Sequence, residues 1–209
     1  MKLYLASNSP RRIRLLKWFG LPFKTIEHGF DEESVKAKSS ERLVGQLALQ
    51  KVYSAASTLK KPALVIGSDL VASIDQYSWS KPATVDEAKF MLQTLAGRRH
   101  TIMCGVAVYD TKSQKAVMSV ARTKVWMKKY SDEVLKKYLK AVPVLDRGGA
   151  YGIQDEVPDF GSLVSRFQGD ITTIIGLPLP QLENLLKEFK VKPRLNWRKQ
   201  CKIETGYES

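Results

Sequence analysis

The stretch Leu3-Tyr4-Leu5-Ala6-Ser7-Asn8-Ser9-Pro10-Arg11-Arg12 decides the fold. Its three leading apolar residues read as a short buried strand. Two serines and an asparagine follow, then Pro10 and an apolar-periodic run. Ser9 takes the N-cap place and Pro10 the first helical position, where a missing N–H costs nothing. A strand therefore runs through a small-residue turn into a helix start. Free backbone N–H groups, the positive end of the helix dipole and two arginines converge there, which makes an anion site suited to phosphate. On the local pattern alone, a plain capped helix with solvated arginines is favoured, because strand-turn-helix starts are common.

Working outward, 209 residues suit one large or two small domains with ample core. Hydrophobic content of 44% and charged content of 26% are those of a globular protein. No apolar run is long enough to span a bilayer, and the N-terminus lacks the basic flank, apolar core and cleavage site of a signal peptide. The expectation is an intracellular, cytoplasmic protein without a membrane partner. A net charge of +13 attracts polyanions. Much of the excess is lysine spread through helices, with part in the stretch from Lys187 to Lys202, so charge alone does not argue for nucleic acid. Cys104 and Cys201 lie far apart and suggest neither a disulfide framework nor a zinc site. His28 and His100 have no paired ligand spacing, which leaves zinc chemistry and a Ser-His-Asp triad poorly supported.

Periodicity predicts a helix from Pro10 to about Phe19 with Ile13, Leu16 and Phe19 inward, ended by Gly20. Leu21 to Ile26 reads as a second strand. His28 to Ser40 is polar and carries Asp31-Glu32-Glu33. Glu41 to Thr58 is a long amphipathic helix that includes Lys51. Ala63 to Ile66 is a strand buried on both faces, ending at Gly67-Ser68-Asp69 and continued by Leu70 to Ile74, with a hairpin turn at Asp75 to Ser78. Thr84 caps a helix from Val85 to Leu95. Thr101 to Tyr109 and Val117 to Met127 read as an antiparallel pair, and Ser131 caps a helix to about Lys140. Pro143 to Gly152 is a loop. Leu163 to Phe167 and Ile171 to Ile175 read as a hairpin. A last helix starts near Gly176-Leu177-Pro178 and reaches Phe189, and the chain beyond Lys190 reads as a loosely attached basic tail. Interleaved helices and strands, often without a helix between neighbouring strands, argue a mixed-sheet α/β or α+β fold.

Asp69 is the sharpest single residue. A carboxylate closing an apolar strand is expensive to bury unless it binds metal or pairs with a charge, and strand ends are where α/β proteins place their sites. A turn role for Gly-Ser-Asp competes, but the apolar residues that follow count against it. With Glu32, Asp69 makes a two-carboxylate site for Mg²⁺, which takes hard oxygen ligands. Lys51 and Lys81 are unremarkable singly. Gly149-Ala150-Tyr151-Gly152-Ile153-Gln154 combines glycines that allow close backbone approach with an amide able to read a base edge.

In order, Ser7-x-Ser9-Pro10-Arg11-Arg12, Gly67-Ser68-Asp69, Lys81-Pro82, Gly149-Ala150-Tyr151-Gly152-Ile153-Gln154, Gly169-Asp170 and Gly176-Leu177-Pro178-Leu179 resemble the Maf family of nucleoside triphosphate pyrophosphatases. The likeness extends to about Phe189. It implies one catalytic domain over residues 1–189 and a basic tail over 190–209. It also implies a two-lobed α/β fold around a central cleft, with a long curved mixed sheet flanked by helices, like the inosine-triphosphate pyrophosphatases (Ham1). The implied reaction cleaves a nucleoside triphosphate between the α- and β-phosphates, with a divalent metal (Mg²⁺ or Mn²⁺, with Co²⁺ as a third) and a homodimer as partners. Arg12 with Gln154 matches the branch acting on dTTP and UTP. The resemblance makes Asp69 the proton acceptor, places the metal on Asp69 and Glu32, and gives Lys51 and Lys81 to the phosphates. Ser7, Ser9, Arg11 and Arg12 would cradle the triphosphate, and Leu70 and Gln154 would contact the base.

Several positions depart from that pattern. Leu70 stands where the dTTP/UTP branch usually has threonine, and Ser68 where alanine is common, as in the branch preferring 7-methyl-GTP. Pro143, Gly148 and Asp155 replace the usual glutamate, alanine and glycine. Two alternatives stay open: the same chemistry with another base preference, and a catalytically weak nucleotide- or nucleic-acid-binding protein.

Overall fold

The computed structural model describes residues 1–208. Its strands are β1 (Lys2–Leu5), β2 (Phe23–Thr25), β3 (Ala63–Ile74), β4 (Tyr77–Trp79), β5 (Arg99–Asp110), β6 (Lys115–Met127) and β7 (Val164–Gln168). Its helices are α1 (Pro10–Lys17), α2 (Ser40–Ser57), α3 (Val85–Leu95), α4 (Asp132–Ala141), α5 (Ile171–Ile175), α6 (Leu179–Lys187) and α7 (Trp197–Thr205). The strands form one sheet in the order β2-β1-β3-β5-β6-β7, with β4 paired to β3. The β1 strand runs parallel to both β2 and β3, whereas β3–β4 and β6–β7 are antiparallel. This is a mixed α/β sheet, as the interleaved sequence pattern predicts.

The chain divides into two compact units. One holds residues 1–69, 104–121 and the chain from 170 onward; the other holds residues 70–103 and 122–169. In the first unit, the leading half of β3 is buried residue after residue, and β1 buries Leu3 and Leu5 with Tyr4 half-buried, so both read as apolar runs. Helix α2 lies close on the sheet because two glycines face it. A Cβ at Gly67 would stand 2.9 Å from Ala48 O, and one at Gly105 would stand 2.2 Å from Val44 O. No side chain fits between backbone and backbone at those distances. In the second unit, Thr84 and Ser131 cap α3 and α4 through the N–H groups of Glu87 and Val134, as the capping pattern predicts.

Four local expectations are corrected. First, β3 does not end at Gly67-Ser68-Asp69 but runs unbroken to Ile74, so Asp69 lies inside a strand. Second, Ile171 to Ile175 is a short helix rather than a strand. The Asp170 carboxylate accepts from the N–H groups of Thr172 and Thr173, and that cap overrides the β-preference of isoleucine and threonine. Third, Leu15 and Trp18 join Leu16 and Phe19 in the core, while Ile13 is half-buried. Fourth, the tail after Lys190 is not loosely attached, although its residue 209 lies outside the described residues. Asn196 caps α7, Trp197 is 2% exposed, and its ring lies 6.0 Å from Phe19. Glu204 accepts from Trp18 Nε1 at 2.7 Å and pairs with Arg14. Trp197 and Cys201 are one helical turn apart and both buried, a two-residue stripe hidden in a run that reads as charge.

Candidate active site

In the first unit, sequence and fold bring three charged groups together. The middle of β3 carries Asp69, which is 5% exposed, and α2 carries Lys51, which is 3% exposed. Lys51 Nζ lies 2.5 Å from Asp69 Oδ1 and 2.9 Å from Glu32 Oε1. Lys51 reaches this point because Gly67 lets α2 approach: its Cβ lies 3.4 Å from where a Cβ at 67 would sit. The buried ammonium is thus neutralised by two carboxylates, without which its burial would be costly. Asp69 Oδ2 is buried and has no hydrogen-bond partner.

Glu32 sits in a one-turn helix, Glu32–Ser34, capped by Asp31. Burial pushes its carboxyl up, but the Lys51 ammonium, by charge and hydrogen bond, outweighs that with help from His28 and Arg12, and the net shift is downward. His28 Nε2 lies 3.8 Å from Glu32 Oε1, one helical step away in sequence. Burial and then the Lys51 charge hold that imidazole below its ordinary value, against the pull of Glu32. His28 was not expected here. Its spacing of four from Glu32 was the available signal, and it carried no weight in a polar loop.

The opening stretch closes the same unit. Ser9 takes the N-cap position, but its side chain makes no cap bond; instead its N–H donates to Ser7 Oγ at 3.2 Å. Ser7 is buried, and Arg11 and Arg12 are half-buried. Arg12 Nε donates to Gly176 O at 2.9 Å, and Ser68 Oγ donates to the same carbonyl at 2.8 Å. Gly176 closes α5 in a left-handed conformation, φ 116°, so the Asp170-capped turn serves to anchor Arg12. Arg12 also lies near enough to lower both His28 and Glu32 by its charge.

The other three expected residues belong to the second unit. Lys81, on an exposed connection, has its Nζ 3.0 Å from Asp146 Oδ1. Leu70 packs on the 148–150 turn: a Cβ at Gly148 would stand 2.5 Å from Leu70 Cδ2. Gln154 is exposed on a turn, and beside it Tyr151 is buried with its hydroxyl 2.7 Å from His100 Nε2.

Among the described residues, no group of three or more His, Cys, Asp and Glu side chains is arranged to hold a metal ion. The donors fit a hard cation that takes two carboxylates, Asp69 and Glu32, and completes its shell with water and phosphate oxygens. The unpartnered Asp69 Oδ2 is the atom that fits that role. Among the described residues, no helix is long and apolar enough to cross a membrane.

Comparison with known proteins gives consistent results. The family model described as Maf-like protein matches residues 2–189. A protein of Thermoanaerobacter sp. named dTTP/UTP pyrophosphatase is 41% identical over 194 residues, covering 92% of this chain and 99% of the relative. One from Dictyoglomus thermophilum with the same name is 40% identical over 189 residues, covering 90% and 96%. Among solved structures, the Staphylococcus aureus Ham1 protein superposes with a TM-score of 0.50 at 15% identity, over 91% of this chain and 98% of that one. That last likeness speaks for the fold alone.

Proposed function

The chain belongs to the Maf family of nucleoside triphosphate pyrophosphatases, and from that premise we propose that it hydrolyses dTTP and UTP to the monophosphate and pyrophosphate, by way of the cluster around Lys51. The observation that carries this is the buried ammonium between Glu32 and Asp69, with Asp69 Oδ2 left unpartnered.

Water attacks the α-phosphorus, a P–O bond forms, and the bond to the β-phosphate oxygen breaks. Asp69, oriented by Lys51 through Oδ1, takes the proton of the attacking water. Glu32 and Asp69 would hold Mg²⁺, Mn²⁺ or Co²⁺, which when bound neutralises phosphate charge and lowers the pKa of water. Ser7, Ser9, Arg11 and Arg12 cradle the triphosphate at the start of α1, where N–H groups and guanidinium groups favour anions. Lys51 and Lys81 meet charge that develops as pyrophosphate leaves. Gln154 reads the pyrimidine edge. A cytoplasmic homodimer belongs to the same proposal.

The 7-methyl-GTP alternative rested on Leu70. Its contact with Gly148 accounts for that leucine by packing, which favours the dTTP/UTP assignment. The test is a panel of dTTP, UTP, CTP, GTP and 7-methyl-GTP with Mg²⁺ or Mn²⁺, with products separated by chromatography. Monophosphate and pyrophosphate from dTTP and UTP are expected. Diphosphate products, or no turnover together with salt-sensitive binding of DNA or RNA, would overturn the assignment.

A further inference from the structure

In the second unit, the turn 152–155 is fastened from several directions. It closes through Asp155 N–H donating to Gly152 O at 3.1 Å. Arg147 forks onto the Asp155 carboxylate, Nε to Oδ2 at 3.0 Å and Nη2 to Oδ1 at 2.9 Å. Tyr138, on α4, donates its hydroxyl to Oδ2 at 2.8 Å and accepts the Gly152 N–H at 3.2 Å. The carboxylate also lies over the Gly152 α-carbon, since a Cβ there would stand 2.7 Å from Oδ2. The ion pair is largely shielded, with side-chain exposures of 16% for Arg147 and 12% for Asp155. A two-pronged, shielded fork of this kind is stronger and more directional than an exposed pair. Burial pushes the Tyr138 phenol up, as does the neighbouring Asp155, so the hydroxyl remains a donor.

These bonds grip the residues on both sides of Gln154, whose own side chain is exposed. An amide on a loose turn meets many bases with equal ease. One on a fixed turn meets a single edge at a single depth, and preorganisation of that sort is what turns a hydrogen bond into selectivity. We propose that Tyr138, Arg147 and Asp155 are positioning residues that hold the Gln154 turn and so set the base selectivity of the enzyme. The proposal rests on the assignment of Gln154 to the base edge. None of the three touches substrate; each acts through the turn.

The experiment measures kcat and KM for UTP, dTTP, CTP and GTP, with thermal melting, in full-length Q154A, D155N, Y138F and the D155N/Y138F double variant. Losing a charge-assisted bond should lower the UTP:CTP and UTP:GTP ratios of kcat/KM about tenfold in D155N, through KM with little change in kcat. Y138F should lower them by a smaller factor in the same direction. The double variant should be no worse than D155N, because both substitutions release one turn. Losses equal for all four substrates, or a lower Tm with unchanged ratios, would show a structural role only and overturn the proposal. Y138F keeps the ion pair, so it decides the matter should D155N prove too unstable to purify. A Q154A profile like that of the parent protein removes the base-edge assignment itself, whereas a shifted Q154A profile beside unshifted D155N and Y138F removes only the positioning role.

Discussion

The first unit keeps its central charges on regular elements: Asp69 on β3 and Lys51 on α2, with α2 seated by glycines against backbone. The second unit carries Lys81 and Gln154 exposed on connections and Asp146 half-buried on a one-turn helix; Lys81 pairs with Asp146, and the turn that bears Gln154 is held by Arg147 and Asp155. Under the proposed function, the difference follows from what each set of residues would do. A proton acceptor beside a buried ammonium works only if neither group moves, because in a shielded site small displacements change large Coulomb energies. A base-reading residue must reach a ligand from outside, and loops supported by a scaffold suit that task. Substitutions in the first unit should therefore act on kcat, and on stability as well where they strip the buried pair of its cation or unseat α2, and those in the second should act on selectivity.

The largest effect is expected at Asp69. D69N keeps the volume and a hydrogen-bond acceptor for Lys51 but cannot take a proton, so kcat should fall about a thousandfold while the melting temperature stays near that of the parent. Single-turnover kinetics with UTP check this, and near-normal turnover would move the proton acceptor elsewhere. K51M comes next. It leaves Asp69 buried beside no cation, a situation that costs about 3–5 kcal/mol when one partner of a buried pair is removed. The expected result is a clear loss of stability in urea together with about a hundredfold lower kcat. Full stability with lost activity would make Lys51 purely catalytic and break the link between the two properties.

How far the sequence foretold this also differs between the units. The strand-turn-helix of the opening motif, the capped helices and the apolar strand leading to Asp69 were legible as local patterns, whereas the anion-site reading of the opening motif needed the motifs downstream. The meeting of Glu32, Lys51 and Asp69 was not legible from spacing. It depends on α2 settling against Gly67 and Gly105, a tertiary contact that no local window contains. Only the family likeness put those three together beforehand. Ile171 to Ile175 misled because β-branched residues outvoted a cap three residues long. The tail misled because its lysines hid Trp197 and Cys201. In the second unit, Asp155 stood out as a departure from the family pattern, and its partners Arg147 and Tyr138 became visible only in three dimensions.

The seating of α2 gives the third prediction. In G67A the new methyl would lie 2.9 Å from the Ala48 carbonyl and 2.8 Å from Val52 Cγ1. Backbone cannot give way as a side-chain tip can, so α2 must shift, at a cost of about 1–3 kcal/mol. Because α2 carries Lys51, kcat should fall along with the urea midpoint. A stability loss without a kcat loss would mean that the Lys51–Asp69 contact survives the shift, and would weaken the claim that rigidity serves catalysis here.

The smallest effect is expected at Gly148, and it is the counterpart of Gly67 in the second unit. A methyl added there meets Leu70 Cδ2 at 2.5 Å, the far end of a flexible side chain rather than a backbone atom. Leu70 can turn away, so G148A should cost about 1 kcal/mol or less, a few degrees at most in the melting temperature of a chain this size. Leu70 and Gly148 are two of the positions that depart from the family pattern, and they depart in opposite directions of bulk: a leucine where threonine is usual, a glycine where alanine is usual. If that is one change made in two places, L70T should leave a gap and G148A a clash, and L70T/G148A should be more stable than the two single effects summed, a coupling that a double-mutant cycle in urea measures directly. Across all three variants the preference for dTTP and UTP should hold. A shift of the substrate profile away from 7-methyl-GTP in L70T would instead make that side chain part of base recognition, and the turn held by Arg147 and Tyr138 would then share the task with β3.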